Sequence, residues 1–414
     1  MTLSEELTWR GLVNQTTFPD LRLLDKTKLT FYHGFDASAD SQAVGNLAAM
    51  MLDRCFMRHG HNAIIVAGGA TSLVGDPGGK DSERELQDES TINKNVLAAE
   101  KQLKKIFSDL KFTLVNNYSW TKDVTVLDFL REVGKHFNMT GLIQRDYLAN
   151  RLGPDGSGIS YAEFSYTVLQ GYDYLHLFDR YNCTLQLGGS DQWGNCLSGV
   201  ELIRKIRGAE VHVITQPLVV NKSTGKKFGK SEEGAVWLNP AKTSPTEFYQ
   251  FWLNADDESV EDYLKIYTDC DKATIDKVIA DHRKDPAKRL AQNLLAREST
   301  TIVHGKEEMV KALVMTKYLS GQVHLSSIKE DELKIMRGSI PSIKLKQAES
   351  LADALVRTGL ASSKTEARQF LSVGAVYVNN EVAKKDELSE TDFQNGRLLL
   401  RRGKVLKNVA LVEK

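Results

Sequence analysis

The segment NAIIVAGGA, from Asn62 to Ala70, decides the fold of this 414-residue chain. Its apolar residues run from Ala63 to Ala67 without alternation, which is typical of a strand buried on both faces of a parallel sheet. Similar β-rich runs occur at LTFYHGFD (29–36), FTLVNN (112–117) and CTLQLGG (183–189), and helical patterns cover about 41–58 and 193–207. The alternation of strands and helices predicts an α/β fold, with a parallel sheet covered by helices on both faces.

Polar residues and glycines gather where these predicted strands end. They are Gly34, Asp36, Gly68, Gly69, Thr71, Gly188, Gly189, Asp191 and Gln192. Sheets of this kind bind ligands at the carboxyl ends of their strands, so these positions predict a binding site. For Asp191 and Gln192, a cap on the helix that starts at Trp193 is an equally simple interpretation.

The composition is that of an ordinary globular chain with several domains. It has 54 basic and 54 acidic residues, so a polyanionic partner has to be met by local patches of charge. The four cysteines are scattered without a CxxC pair, which argues against a structural metal or a disulfide framework and favours a reducing, cytoplasmic location. No apolar run approaches the length of a membrane span.

Beyond the predicted sheet, the pattern is mostly helical from about 245 to 320, and a Gly-, Ser-, Pro- and Lys-containing stretch follows at 321–345. A small unit begins near Gln347 with two helical patterns. In AVYVNNEVA (375–383) the two asparagines suit a hairpin turn. Five basic residues without an acid then occur close together, which indicates either a solvated surface or a phosphate-binding patch: Arg397, Arg401, Arg402, Lys404 and Lys407.

Three further segments carry side chains suited to chemistry. In SYTVLQGYDYL (165–175), Tyr166, Gln170 and Asp173 share one face of a helix, which predicts either a polar pocket or a solvated face. GGATSLVGDPGGK (68–80) is not a Walker A loop, but its glycines with Lys80 and Arg84 could hold a phosphate. GKKFGKSEEG (225–234) places lysines among glycines, as a solvated basic turn or a mobile cationic loop would.

Together these segments resemble one family closely. YHGFDASADSQAVGN (32–46), GGATSLVGDP (68–77), FSYTVLQGYDY (164–174), LQLGGSDQWGN (185–195) and KFGKS (227–231) follow in the order found in bacterial-type tyrosyl-tRNA synthetases, a class I aminoacyl-tRNA synthetase family. The resemblance runs from about Leu12 through the whole chain. It implies a Rossmann-like catalytic domain over 1–245, with a dimer-interface insertion near 120–160. A helical anticodon-binding domain (246–322), a linker (323–346) and a ribosomal-protein-type α+β RNA-binding domain (347–414) would follow.

The resemblance also implies roles for individual residues. Tyr32 and Asp173 would hydrogen-bond the phenol of tyrosine, while Asp76, Tyr166 and Gln170 would surround its α-ammonium group. Thr71, Asn117 and Gln186 would line the same pocket. The residues matched to ATP are Gly34, Asp36, Gly45, Asp191, Gln192, Lys80, Arg84 and Lys230. Those matched to catalysis are Lys227, Lys230, Ser231, Asn46 and Ser38, with the lysine loop closing on the pyrophosphate as negative charge develops.

The implied partners are L-tyrosine, ATP with Mg²⁺, and tRNA(Tyr), with a homodimer in which tRNA spans two subunits. Val124–Met139 is a plausible interface helix, and the five basic residues of the last domain would contact RNA phosphates. We expect no protein-held metal and no membrane association.

One position departs from the family. Where its members carry His-Ile-Gly-His, this chain has Ala43-Val44-Gly45-Asn46. Loss of one transition-state donor typically costs about a hundredfold or more in rate. The alternative to an active tyrosine–tRNA ligase is therefore a catalytically impaired homologue that acts as an RNA-binding protein. His33 is one neighbour that could compensate.

Overall fold

The computed structural model describes residues 1–76, 87–143, 158–225, 228, 230–231, 234–321, 323–345, 349–403 and 408–414. The chain forms two compact units. The first contains Met1–Lys242 and Ala255–Glu298, and the second contains Thr243–Asn254 and Ser299–Lys414. The three-domain division at 245, 322 and 346 stays a prediction.

The first unit is built on a six-stranded sheet, which confirms the predicted α/β class. Its strands are β1 (Gln15–Thr16), β2 (Thr30–Asp36), β3 (Asn62–Gly68), β4 (Phe112–Asn116), β5 (Leu185–Gly189) and β6 (His212–Gln216). The spatial order is β1-β6-β5-β2-β3-β4. The strands β2 to β6 pair in parallel, and β1 pairs with β6 in antiparallel fashion. A short two-stranded sheet adds β7 (Lys230–Ser231) and β8 (Gly234–Ala235).

Helices connect and cover these strands. The helices of the first unit are Leu3–Arg10, Val44–Arg58, Gly69–Val74, Glu89–Ile106, Tyr118–Thr121, Val126–Asp128, Met139–Ile143, Tyr161–Tyr181, Trp193–Arg207, Val260–Tyr267 and Lys272–Lys284, and the helix Leu290–His304 begins in this unit and ends in the second. The longest, Tyr161–Tyr181, starts with a capping box in which Ser160 and Glu163 satisfy each other's backbone N–H groups. It crosses Trp193–Arg207 closely: a Cβ on Gly199 would lie 2.6 Å from the Tyr174 ring, so only glycine fits there.

The segment predicted as an interface helix is less regular than expected. It contains the α-helical turn Val126–Asp128, a π-helical turn at Phe129–Val133 and a 3₁₀ turn at Gly134–His136. Val126 and Leu127 are 74% and 78% exposed, and Leu130 and Met139 are also exposed. An apolar surface of this kind is unusual for a face that meets only water.

The second unit contains helices and a five-stranded sheet. Its helices are Pro245–Leu253, Lys306–Leu319, Glu330–Ser339, Leu351–Arg357 and Lys364–Ser372, and its strands are β9 (Ser342–Lys344), β10 (Val376–Val378), β11 (Glu381–Val382), β12 (Arg397–Arg402) and β13 (Val409–Glu413). The predicted asparagine hairpin is confirmed: β10 pairs with β11 across Asn379 and Asn380, both at positive φ.

The stretch 323–346 is not the plain linker that its composition predicted. It holds the helix Glu330–Ser339 and strand β9, and the helix buries Leu333 and Met336 completely. These residues join an apolar cluster with Leu399 and Leu411 of the sheet. Packing against the strands therefore stabilises a helix that the short and polar local sequence does not predict.

Candidate active site

The strand order creates a crevice beside β2. The chain leaves β2 for β3 and β4 on one side and returns to β5 and β6 on the other, so the loops at the carboxyl ends diverge there. This topological switch point is where such sheets bind ligands. A cleft of about 270 Å³ opens at it. All eight residues predicted to bind tyrosine line the cleft: Tyr32, Thr71, Asp76, Asn117, Tyr166, Gln170, Asp173 and Gln186.

One helix supplies three of these side chains. Tyr166, Gln170 and Asp173 stand on a single face of Tyr161–Tyr181, as their spacing predicted, and all three line the cleft. Tyr166 and Asp173 are buried. The pattern thus reflects a polar pocket inside the unit rather than a solvated helix face.

The buried carboxyl group of Asp173 lies at the closed end of the cleft, where two donors hydrogen-bond to it. Asn117 Nδ2 donates to Asp173 Oδ2 at 2.9 Å, and Trp120 Nε1 donates to Asp173 Oδ1 at 2.8 Å. The hydroxyl group of Tyr32 lines the same cleft, is buried, and has no hydrogen-bond partner among the described residues. Such an orphaned hydroxyl beside a fixed carboxyl group is suited to a ligand that brings its own hydroxyl.

Burial controls the charge of this carboxyl group. Removal from water raises the pKa of Asp173 to about 7, although the hydrogen bonds from Asn117 and Trp120 act in the opposite direction. The negative charge of Asp36 raises the pKa further. A hydroxyl donor in the cleft would favour the ionised form, so ligand binding and loss of this proton are coupled.

Asp36, at the end of β2, organises the middle of the cleft. Its Oδ1 accepts from Thr71 Oγ1 and its Oδ2 accepts from Tyr166 OH, both at 3.0 Å. Gly68 leaves room for this arrangement, because a Cβ there would lie 2.4 Å from Thr71 Oγ1 and 2.6 Å from Asp36 Oδ1. The glycine is therefore required by close packing.

Two side-chain amides orient the carboxylate of Asp76 in the cleft. Gln192 Nε2 donates to Asp76 Oδ2 at 2.8 Å, and Asn195 Nδ2 donates to Gln192 Oε1 at 3.0 Å. Gln186 lies on β5 with its Oε1 buried and without a partner among the described residues. Carboxylate and amide oxygens that converge in this way suit an ammonium group.

The residues predicted to contact ATP or to act in catalysis divide into three groups. Gly34, Asp36, Ser38, Asn46 and Gln192 line the cleft. Gly45 and Asp191 are exposed and are not among its lining residues. The third group consists of Lys80, Arg84 and Lys227, which lie outside the described residues, and of Lys230 and Ser231, which are described only as the backbone of β7.

The segment that follows the lysine-containing stretch 225–234 is hydrogen-bonded to residues beside the cleft. Val44 N donates to Val236 O at 2.9 Å, Leu238 N donates to Gln42 O at 2.9 Å, and an isolated bridge pairs Ala43 with Trp237. These bonds attach the exit of the loop to the first turn of Val44–Arg58, the helix that carries Asn46. Within that turn, Asn46 Oδ1 accepts from Ala43 N at 3.0 Å.

Three of the predicted RNA contacts lie on β12. Arg397 Nε lies 3.6 Å from Glu413 Oε1. The guanidinium group of Arg401 lies over the ring of Tyr377, and that of Arg402 lies over the ring of Phe370. All three are half-buried, so they are held rather than freely solvated. Lys404 and Lys407 lie outside the described residues.

Some site residues escaped the sequence analysis. Trp120, which donates to Asp173, carries no motif of its own, and only its place three residues after Asn117 could have indicated it. Asp53 is fully buried on Val44–Arg58 and binds His33 Nδ1 through Oδ2 at 2.7 Å; both residues line the cleft. A carboxylate directly after the apolar run Met50–Leu52 was the available signal.

In the described part of the chain, one cluster of potential metal ligands has its ligand atoms within 4.8 Å of one another: Glu6, Cys55 and His59. Glu6 Oε1 accepts from Arg10 and Arg58, both at 2.7 Å, and Glu6 Oε2 is bonded to His59. Two guanidinium groups at the same carboxylate repel a metal ion. The cluster is an ion-pair network.

None of the described helices is long and apolar enough to cross a membrane.

Comparisons with known proteins agree with this geometry. Residues 24–317 match the family described as tRNA synthetases class I (W and Y), and residues 332–412 match the Tyrosine--tRNA ligase SYY-like C-terminal domain. The chain belongs to the tyrosyl-tRNA synthetase family.

Relatives of the whole chain support this membership. It is 43% identical over 417 residues to a tyrosine–tRNA ligase of Listeria innocua, covering 98% of each chain. It is 40% identical over 425 residues to tyrosine–tRNA ligase 2 of Bacillus cereus, covering 100% of each. A C-terminally truncated mitochondrial tyrosyl-tRNA synthetase of Aspergillus nidulans has a TM-score of 0.69 at 30% identity, covering 77% of this chain and 94% of that one. The chain is thus a class I aminoacyl-tRNA synthetase by family and fold.

Proposed function

We propose that the protein activates L-tyrosine with ATP to form tyrosyl-adenylate and pyrophosphate, and then transfers tyrosine to tRNA(Tyr). The observation that carries this proposal is the closed end of the cleft. There, the buried hydroxyl of Tyr32 is orphaned among the described residues, and Asn117 and Trp120 orient the carboxyl group of Asp173. A phenol hydroxyl can donate to Asp173 and accept from Tyr32 in the same position.

This arrangement explains selection against phenylalanine. A phenylalanine in the cleft would leave both buried polar groups without a partner, and each would then incur its desolvation penalty. Sites that bond a substrate hydroxyl reject the analogue that lacks it by about four to five orders of magnitude, as is already known for enzymes of this family.

The other polar groups orient the amino acid for reaction. Asp76, Tyr166 and Gln170 would surround the α-ammonium group; this role is supported by their common place in the lining of the cleft and by the hydrogen bond from Gln192 to Asp76. The tyrosine carboxylate then faces the nucleotide, where its oxygen forms a bond to the α-phosphorus as the bond to pyrophosphate breaks. Positioning replaces covalent catalysis in this step.

The nucleotide occupies the part of the cleft near Gly34, Asp36 and Asn46. ATP enters as its magnesium complex, so the ion is part of the substrate. Lys227 and Lys230 would stabilise the charge that moves onto pyrophosphate, as the family resemblance implies. The hydrogen bonds from Val44 to Val236 and from Leu238 to Gln42 support this role, because they anchor the segment after the loop near Asn46.

We also propose a cytoplasmic homodimer that binds tRNA through the second unit. The exposed apolar side chains of Val126, Leu127, Leu130 and Met139 support burial against a second copy of this surface. Arg401 and Arg402, held over aromatic rings, support contacts with RNA phosphates. Sedimentation equilibrium tests the dimer, with Leu127→Lys expected to shift the protein to monomer.

Tyrosine-dependent exchange of labelled pyrophosphate into ATP tests the enzymatic proposal. We expect exchange with L-tyrosine, little exchange with L-phenylalanine, and a large rate loss in Lys230→Ala. A parent protein that exchanges no faster than Lys230→Ala would instead support the impaired RNA-binding homologue that Ala43 raises as the alternative.

A further inference from the structure

Four hydrogen-bonded side chains form a network that connects the cleft to the interior of the first unit. Gln192 Nε2 donates to Asp76 Oδ2 at 2.8 Å, and Asn195 Nδ2 donates to Gln192 Oε1 at 3.0 Å. Thr167 Oγ1 then donates to Asn195 Oδ1 at 2.6 Å. Asp76 and Gln192 line the cleft, whereas Asn195 and Thr167 do not. The last two residues therefore act on a bound substrate indirectly, through Gln192 and Asp76.

The carboxylate of Asp76 fixes the direction of every bond in this network. A carboxylate only accepts hydrogen bonds, so Gln192 has to present its amide N–H group to Asp76. The side-chain oxygen of Gln192 then faces Asn195, which has to donate with its own amide. This leaves Asn195 Oδ1 facing Thr167, where a donor is required. The hydroxyl group of Thr167 is that donor.

Burial makes the loss of this donor costly. Thr167 is fully buried, and Asn195 is also buried. A buried amide oxygen that loses a donor incurs a desolvation penalty, and bonds within such a network support one another. If Asn195 turned its amide around, its oxygen would face the side-chain oxygen of Gln192. Gln192 could then stay paired only by turning its own oxygen towards the carboxylate of Asp76, which would repel it.

The network also joins the elements that carry the predicted ammonium contacts. Thr167 lies on the helix Tyr161–Tyr181, directly after Tyr166 and three residues before Gln170. Asp76 lies two residues after the end of the helix Gly69–Val74. The bonds from Thr167 to Asp76 therefore hold this carboxylate in a fixed position relative to the helix that supplies Tyr166 and Gln170.

We propose that Thr167 and Asn195 are positioning residues for the α-ammonium group of the substrate. The Thr167 hydroxyl sets the orientation of Asn195 and Gln192, and Gln192 keeps the carboxylate of Asp76 directed at the ammonium group. Such a group donates three hydrogen bonds and needs acceptors in fixed places. This inference rests on the proposed function, which places the α-ammonium group of tyrosine beside Asp76.

The test measures recognition of the ammonium group separately from recognition of the phenol. Equilibrium dialysis of the whole protein gives the Kd for L-tyrosine and for des-amino-tyrosine, which keeps the phenol and the carboxylate but lacks the amino group. We expect the parent to bind tyrosine more tightly. Thr167→Val removes the hydroxyl and keeps the branched side chain. It should weaken tyrosine binding by about three- to tenfold and leave the affinity for des-amino-tyrosine unchanged.

Two further variants and a control identify the hydroxyl as the cause. Thr167→Ser keeps the donor and should keep the affinity for tyrosine. Asn195→Ala breaks the next bond, and its effect on tyrosine affinity should not add to that of Thr167→Val, because both variants interrupt one network. Thr358→Val is the control. Thr358 is also buried, and its hydroxyl donates to Ala354 O at 2.7 Å in the second unit, so its loss should leave both affinities unchanged.

The outcomes distinguish this inference from the proposed function. An unchanged tyrosine affinity in Thr167→Val, an equal weakening of both ligands, or a Thr167→Ser variant that behaves like Thr167→Val overturns the inference. If Thr167→Val does not fold, Asn195→Ala decides by the same comparison of ligands. A parent that prefers tyrosine to des-amino-tyrosine but does not exchange pyrophosphate overturns the proposed function alone. A parent that binds no tyrosine overturns both.

Discussion

Relative to the parent, replacing Asp173 by asparagine should become progressively more favourable for the stability of the empty protein as the pH rises. The pKa of Asp173 is about 7 in the folded protein and close to 3.8 when the chain is unfolded. The folded state therefore binds this proton more tightly. The contribution of this carboxyl group to stability is fully present below about pH 4 and falls as the pH rises towards 7, where the buried carboxylate ionises. An asparagine at this position carries no such proton, so the variant shows no such loss.

The size of the effect follows from these two values. Three pKa units correspond to about 4 kcal/mol at most. About 2–3 kcal/mol of this develops between pH 5 and pH 8. The variant also turns an amide towards Asn117 Nδ2, which now donates to Asp173 Oδ2 at 2.9 Å. That lost hydrogen bond costs about 1–3 kcal/mol, but the cost is the same at every pH.

The assay is urea unfolding without tyrosine at several pH values, followed by tryptophan fluorescence. The free energy of unfolding of Asp173→Asn minus that of the parent should grow by about 2–3 kcal/mol from pH 5 to pH 8. Asp123→Asn, at an exposed carboxylate, controls for the loss of one charge. A difference for Asp173→Asn that stays constant with pH would refute the reasoning.

Three other changes have expected outcomes. Ala43→His should raise the rate of adenylate formation more than it changes tyrosine affinity; an unchanged single-turnover rate would show that the alanine is already compensated. Gly68→Ala should lower the free energy of unfolding by about 1–3 kcal/mol and weaken tyrosine binding, because its Cβ would lie 2.4 Å from Thr71 Oγ1. Gly338→Ala, with no atom within 4 Å of its Cβ, is the matched control and should be neutral or stabilising. Arg402→Ala should weaken tRNA binding and reduce the dependence of log Kd on log salt concentration by about one unit, measured by filter binding.

Much of the fold could be predicted because its signals are local. The apolar run of β3 is continuous, β2 and β5 lie in short β-rich runs, and the positions of Tyr166, Gln170 and Asp173 follow from helical spacing alone. Once the parallel sheet is predicted, its carboxyl ends bring distant polar residues together. This is why the patterns alone indicated lining residues such as Asp36, Thr71 and Gln192, whereas Tyr32, Asp76 and Asn117 were assigned through the family resemblance.

What the sequence missed depends on tertiary contacts. Trp120 matters because its Nε1 meets Asp173, and the pairing of Asp53 with His33 exists only once the helix lies on the sheet. The helix Glu330–Ser339 lies where the composition predicted a linker, because its order comes from burying Leu333 and Met336 against strands far along the chain. No window of sequence contains both partners of such contacts.

Equilibrium binding of L-tyrosine and L-phenylalanine, without ATP, tests the central claim most directly. If the carboxyl group of Asp173 receives the substrate phenol, the parent binds tyrosine and essentially excludes phenylalanine, and Asp173→Ala loses tyrosine binding. Retained micromolar affinity for tyrosine in Asp173→Ala, with the variant still folded by circular dichroism, would contradict the account.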